Sequence, residues 1–274
     1  MKGSHLRVTC GISIMLAGAQ YSLVKLAMGR GQLAQAAKLC GECCDMARKQ
    51  NDVGLIALTL GVLGRIAYWQ GDPELARQQH LECLVLIGDS FSTHLSRLTA
   101  MLGKLAEAAG DLTQAAAYHA ESLERYRANE DCIGVAWAQR NLGYVKLVQG
   151  ERTAAAHLLC ASLAGLLQAE GGHDARTSYV AVSCLSAAAK LIEQQGEVSS
   201  AALLWGAAEL LQERFPPSAL WYECQPEDRP RITAAYTRLA TGAHEPDWVS
   251  GRAHPLDEAL AKALHLIQHH RERL

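Results

Sequence analysis

Five glycines, Gly31, Gly71, Gly110, Gly150 and Gly196, are each followed five residues later by an alanine: Ala36, Ala76, Ala115, Ala155 and Ala201. Successive glycines stand 40, 39, 40 and 46 residues apart. A unit of this size, read each time as a helix, a glycine turn and an alanine-rich helix, restricts the chain to a stack of helical hairpins. The clearest copy is Asn141–Ala156, with Leu142-Gly143 inside an apolar helix and Gly150 at its turn. The expected fold is an all-α solenoid of about five helix-turn-helix units. Their bounds are about 11–50, 53–88, 92–129, 130–170 and 173–214. A helical cap over 215–274 follows, and an N-terminal tail over 1–10 precedes.

Composition agrees with close-packed helices: hydrophobic residues make up 49% of the 274, aromatics only 5%. A formal charge of -2 gives no general pull toward nucleic acid or anionic membrane. The nine cysteines are odd in number and mostly fall at core-like helical positions, as reduced apolar side chains of a cytoplasmic protein do. No segment reaches the roughly 20 apolar residues of a membrane span. Met1-Lys2-Gly3-Ser4-His5 reads partly as a cloning scar, so the chain is expected to be cut from a longer protein.

Local signals place the turns. Asn51-Asp52 ends one helix and caps the next, and Gly71-Asp72-Pro73-Glu74 is a helix start. Gly64, Gly103, Gly143 and Ala189 precede Ala76, Ala115, Ala155 and Ala201 at one fixed spacing, as two small residues touching across a hairpin would. Beyond Arg214 the prolines 216, 217, 226 and 230 break the pattern. A helix near Arg231–Leu239, a turn around Glu245–Gly251 and a terminal helix from about Pro255 to His270 are expected there.

Leu63-Gly64, Leu102-Gly103 and Leu142-Gly143, with the hinge glycines and their alanines, resemble the tetratricopeptide repeat. The units are longer than that family's usual repeat and lack its closing proline. Gln195-Gly196-Glu197 with Ala201–Glu213, and Trp248–Arg252 with Leu256–Ala259, are similar to the end of the repeat region in large bacterial regulators. Those regulators join a STAND-type ATPase to a LuxR-type DNA-binding or a cyclase output domain. The resemblance implies a sensor or protein-interaction arm; no ATPase or DNA-binding residue carries over.

Candidate chemistry is sparse. Gly29-x-Gly31 lies between helices, not after a strand, and is read as a turn. Cys40-x-x-Cys43-Cys44 lacks the second ligand pair of a structural zinc site and is read as core. His265, His269 and His270 are read as a solvated tail. No catalytic motif occurs, so the expectation is no enzyme, no cofactor and no metal. In tetratricopeptide-like stacking the residue 11 before each repeat alanine faces the concave side. These are Lys25, Arg65, Lys104, Tyr144 and Lys190, four of them cationic; Tyr21, Tyr68, Trp69, Arg97, Trp137 and Arg140 are their neighbours. A cationic ladder with aromatics suits an acidic peptide or protein segment. Cations placed there for solubility fit the sequence as well. The expected function is a non-catalytic peptide-binding module in a bacterial regulator, able to dimerise through its first unit (Ile12, Ile14, Met15, Leu16). The alternative is a metabolite sensor with a pocket near Trp137, Tyr144 and Trp205.

Overall fold

The computed structural model describes residues 21–88, 92–169, 174–214 and 228–271. Helices dominate, and no strand occurs among the described residues. The chain is an all-α solenoid whose helices pack as consecutive pairs. It divides into two compact units, one ending at residue 91 and the other starting at residue 92.

The first unit holds α1 (residues 21–29), α2 (Leu33–Gln50), α3 (Val53–Trp69) and α4 (Pro73–Ile87). Asn51 ends α2 in the left-handed conformation, at φ 53°, and Asp52 caps α3 by accepting a bond from the Leu55 amide at 3.0 Å. Asp72 caps α4 in the same way at 2.9 Å, with Pro73 in the first turn, where its missing N–H costs nothing. The apolar residues expected on an earlier part of the first helix, Ile12 to Leu16, lie outside the described residues.

The second unit contains the hairpins α5 (Ser92–Ala108) with α6 (Leu112–Ala128), α7 (Cys132–Val148) with α8 (Arg152–Gln168), and α9 (Ala175–Glu193) with α10 (Val198–Arg214). Then come α11 (Asp228–Leu239), a 3-10 turn at Gly242–His244, α12 (Glu245–Ala253) and α13 (Leu256–Arg271). Asp111, Asp131 and Asp174 cap α6, α7 and α9. The hinge glycines adopt positive φ, +81° at Gly110 and +84° at Gly150, a region closed to most side chains. All five repeat alanines are buried to below 1% exposure.

Two features differ from the sequence reading, and one, the seat of α13, lay beyond it. First, α12 is a helix where a turn was expected. Glu245, Pro246 and Asp247 form a helix start, and burial of Trp248 against α10 holds so short a segment helical. Second, α13 folds back onto α8 and α9. Third, the glycine on the first helix of a hairpin makes room for a larger side chain of the second helix, not for the repeat alanine. A Cβ added at Gly64 would lie 2.6 Å from the His80 ring, and one at Gly103 2.5 Å from the His119 ring. At Gly143 the neighbours are Leu158 and Leu159.

One internal bond recurs in three hairpins. Cys83 donates to the Ala57 carbonyl, Ser122 to that of Ser96 and Ser162 to that of Ala136, each spanning 26 residues. This explains one cysteine: Cys83 fills the place serine takes in the next two hairpins. Burial pushes its thiol up to about 11 and that of Cys40 up to about 12, so both stay protonated. Cys43 and Cys44 are also buried, whereas Cys132 is exposed. Among the described residues no helix is long and apolar enough to cross a membrane.

Candidate functional site

The expected ladder residues fall in both units. In the first, the Lys25 ammonium lies 4.9 Å from the centre of the Tyr21 ring, and Arg65 is buried beside His80. Tyr68 and Trp69 are half-buried on the last turn of α3.

In the second unit, three first helices and α11 bring their cations to one ring. The centroid of Tyr144 on α7 lies 5.9 Å from Nζ of Lys104 (α5), 5.4 Å from the Arg140 guanidinium (α7) and 5.1 Å from Nζ of Lys190 (α9). The Arg231 guanidinium of α11 is nearest, at 4.0 Å. Lys190 also donates to the Tyr144 hydroxyl at 3.3 Å. Each such contact contributes about 0.5–2 kcal/mol, more where water is excluded. Arg140 and Tyr144 are one helical turn apart, so α7 presents both on one face. Lys104, Tyr144 and Lys190 hold the same place in successive repeats, and stacking sets them side by side.

Two of these cations are not on the surface. Lys104 is 1% exposed and Arg140 2%. Arg140 donates through Nε to the Ser183 carbonyl and through Nη1 to Asn141 Oδ1, both at 3.0 Å. Lys104 pairs with Glu107, at 3.0 Å from Oε1 and 3.2 Å from Oε2. Lys104, Arg140 and Arg231 engage further neighbours as well. Solubility does not explain them, because fully buried Lys and Arg are rare and costly to desolvate. Nor do they form an open stripe, as a solvent-facing ladder would.

Glu107 carries a second partner, His119 of α6, whose Nε2 lies 2.7 Å from Oε1. Burial alone would raise the carboxyl, but the Lys104 charge and the His119 bond outweigh it and hold Glu107 at about 2. His119 is fully buried, which lowers its affinity for a proton; Lys104 and Arg140 lower it further and Glu107 opposes them. The ring is therefore neutral at neutral pH, with Nε2–H donating to the carboxylate.

The remaining expected residues sit apart from the ring. Trp137 is 3% exposed and meets Tyr126 edge to face at 6.3 Å, so it belongs to the core. Trp205 is likewise core, and Arg97 is half-buried on α5. An open cavity of about 1020 Å³ lies among α7, α8 and α9, lined by residues such as Ile133, Gln139, Ala161 and Gly165. None of Trp137, Tyr144 and Trp205 lines it. His265 and His269 stack at 6.4 Å on the exposed side of α13. Arg231, Glu107 and His119 were not anticipated as site residues. The last two had a usable signal: both lie one repeat from aromatic or histidine positions (Tyr68 and His80).

No known family matches this chain, and no curated protein matches it. Among solved structures it is similar to BtubC (BKLC) from P. vanneervenii, at 16% identity and a TM-score of 0.54, over 88% of this chain and 93% of that one. At that identity the likeness is one of fold.

Proposed function

We propose that this chain is a non-catalytic recognition module of tetratricopeptide-like repeats that holds an acidic segment of a protein partner at the Tyr144 cluster. The observation that supports it is the convergence of four cations, from α5, α7, α9 and α11, on a single tyrosine ring. Carboxylates entering there meet charge-assisted donors and an aromatic face together. The setting we infer is the interaction arm of a bacterial transcriptional or signalling regulator, on the strength of the C-terminal motif resemblance. A second reading, a sensor for a small anionic metabolite, is favoured by the burial of Lys104 and Arg140, since small-molecule sites are enclosed.

Calorimetric titration with hexa-aspartate, and separately with citrate, tests both readings. The first predicts binding of the peptide that weakens with salt and is lost in Tyr144→Leu. Citrate binding without peptide binding moves the assignment to the second. Binding of neither contradicts both.

A further inference from the structure

His80 and His119 occupy the same place in successive repeats, each following at one spacing the glycine that makes room for its ring. In the next repeat that place is Leu159, packed on Gly143. An apolar side chain therefore fills the position, and packing does not require a histidine. The two histidines differ in what they meet. Neither ring nitrogen of His80 has a hydrogen-bond partner. His119 has none at Nδ1, but its Nε2 is bound to the carboxylate that also holds Lys104. A histidine with a carboxylate on one nitrogen and nothing on the other has one place to take up a proton.

Resting on the anion-recognition reading above, we propose that His119 is a proton-linked positioning residue for the Tyr144 cluster. Protonated at Nδ1, it turns Glu107 from the partner of Lys104 into the partner of an imidazolium, and leaves more of the Lys104 charge for an incoming anion. The charged groups facing it are Lys104 and Glu107 from α5 and Arg140 from α7. With the ring neutral these sum to one positive charge; with the ring protonated they sum to two. Burial and the two cations disfavour the proton while the site is empty. A bound anion offsets the added charge and draws the proton in, so by linkage the affinity for anions rises as pH falls.

Hexa-aspartate is the probe, titrated at constant ionic strength between about pH 7.5 and 5.5, where its own carboxylates remain ionised. Circular dichroism checks folding at each pH. The wild type is expected to bind at least about threefold more tightly at the acid end, with a ceiling of about tenfold per pH unit for one linked proton. His119→Leu, which copies Leu159, flattens the profile. His80→Leu removes an equally buried histidine that lacks a carboxylate, and keeps the profile. Glu107→Gln flattens it while raising the affinity at neutral pH, an effect that loss of packing would not produce, and it decides the matter if His119→Leu fails to fold. Retention of the wild-type profile by His119→Leu or Glu107→Gln overturns the proposal, as does a flat wild-type profile. Failure of the wild type to bind at any pH overturns the underlying anion-site reading instead.

Discussion

Gly41→Ala and Gly206→Ala are the same chemical change on two helices, and the structure predicts opposite signs for them. Gly41 lies within α2, and a Cβ added there meets nothing within 4 Å. Alanine should stabilise that helix by the ordinary propensity difference, about 0.5–1 kcal/mol. Gly206 lies on α10 where α12 crosses it. Its added Cβ would fall inside 3.0 Å of the Trp248 carbonyl oxygen, and Gly251 of α12 meets the Leu203 carbonyl of α10 in the same way. Both obstacles are backbone, so neither can swing aside, and α12 must move away by about 1 Å or more. That movement disturbs the seat of Trp248, which is 2% exposed and donates from its indole to Glu209 at 2.9 Å. It also disturbs the Arg252 bonds to Glu209 and Glu213. Overpacking costs about 1–3 kcal/mol, and a backbone obstacle that cannot swing aside puts this case at about 3 kcal/mol or above. After the propensity gain, a net loss of at least about 2 kcal/mol is expected for Gly206→Ala, so the two variants should differ by about 3 kcal/mol. Denaturant melts followed by circular dichroism and tryptophan fluorescence measure this, each variant compared by its own transition midpoint. A midpoint for Gly206→Ala equal to or above that of the wild type would refute the α10–α12 crossing.

Burial, with Arg65 beside it, pushes His80 down to about 3, below its ordinary value in the unfolded chain. Between those values the unfolded state binds the extra proton, so stability falls as pH drops below about 6.5, by about 2 kcal/mol at pH 5; His80→Leu should lose that share of the acid sensitivity in melts at neutral pH and at pH 5. Asp131 caps α7 and also grips Arg176 at 2.7 and 3.0 Å, whereas Asp111 caps α6 without such a grip among the bonds described. Asp131→Ala should therefore cost more than the usual cap loss of about 1 kcal/mol, and Asp111→Ala about that amount; equal midpoint shifts would count against the Arg176 contact. Brief alkylation of the native protein followed by peptide mapping should label the exposed Cys132 and spare Cys40 and Cys83, and early labelling of either buried thiol would contradict their placement.

The repeat was legible because its signals are local. A hinge that needs positive φ selects glycine, a helix start selects aspartate, and both recur with the hairpin. The place where Lys104, Tyr144 and Lys190 come together was legible for the same reason, since stacking converts a repeat period into spatial adjacency. Arg231 was not, because it reaches Tyr144 from α11, far along the chain and outside the period. Burial of Lys104 and Arg140 was not legible either, since Lys and Arg ordinarily signal a solvated face. The serine and cysteine bonds across the hairpins recur in phase at Cys83, Ser122 and Ser162, but a change of residue type hid them. Helix α12 was missed because proline and glycine near a short segment read as a turn, while burial of Trp248 decided otherwise.

The most direct test of the recognition account is the salt dependence of hexa-aspartate binding to the wild type and to a Lys190→Gln/Arg231→Gln variant. Both side chains are only half-buried, so their replacement leaves the core intact. The account predicts wild-type binding that weakens steadily as salt is added, and a variant that binds at least about tenfold more weakly with a shallower salt slope. Equal affinity and equal slope in the two proteins would contradict it.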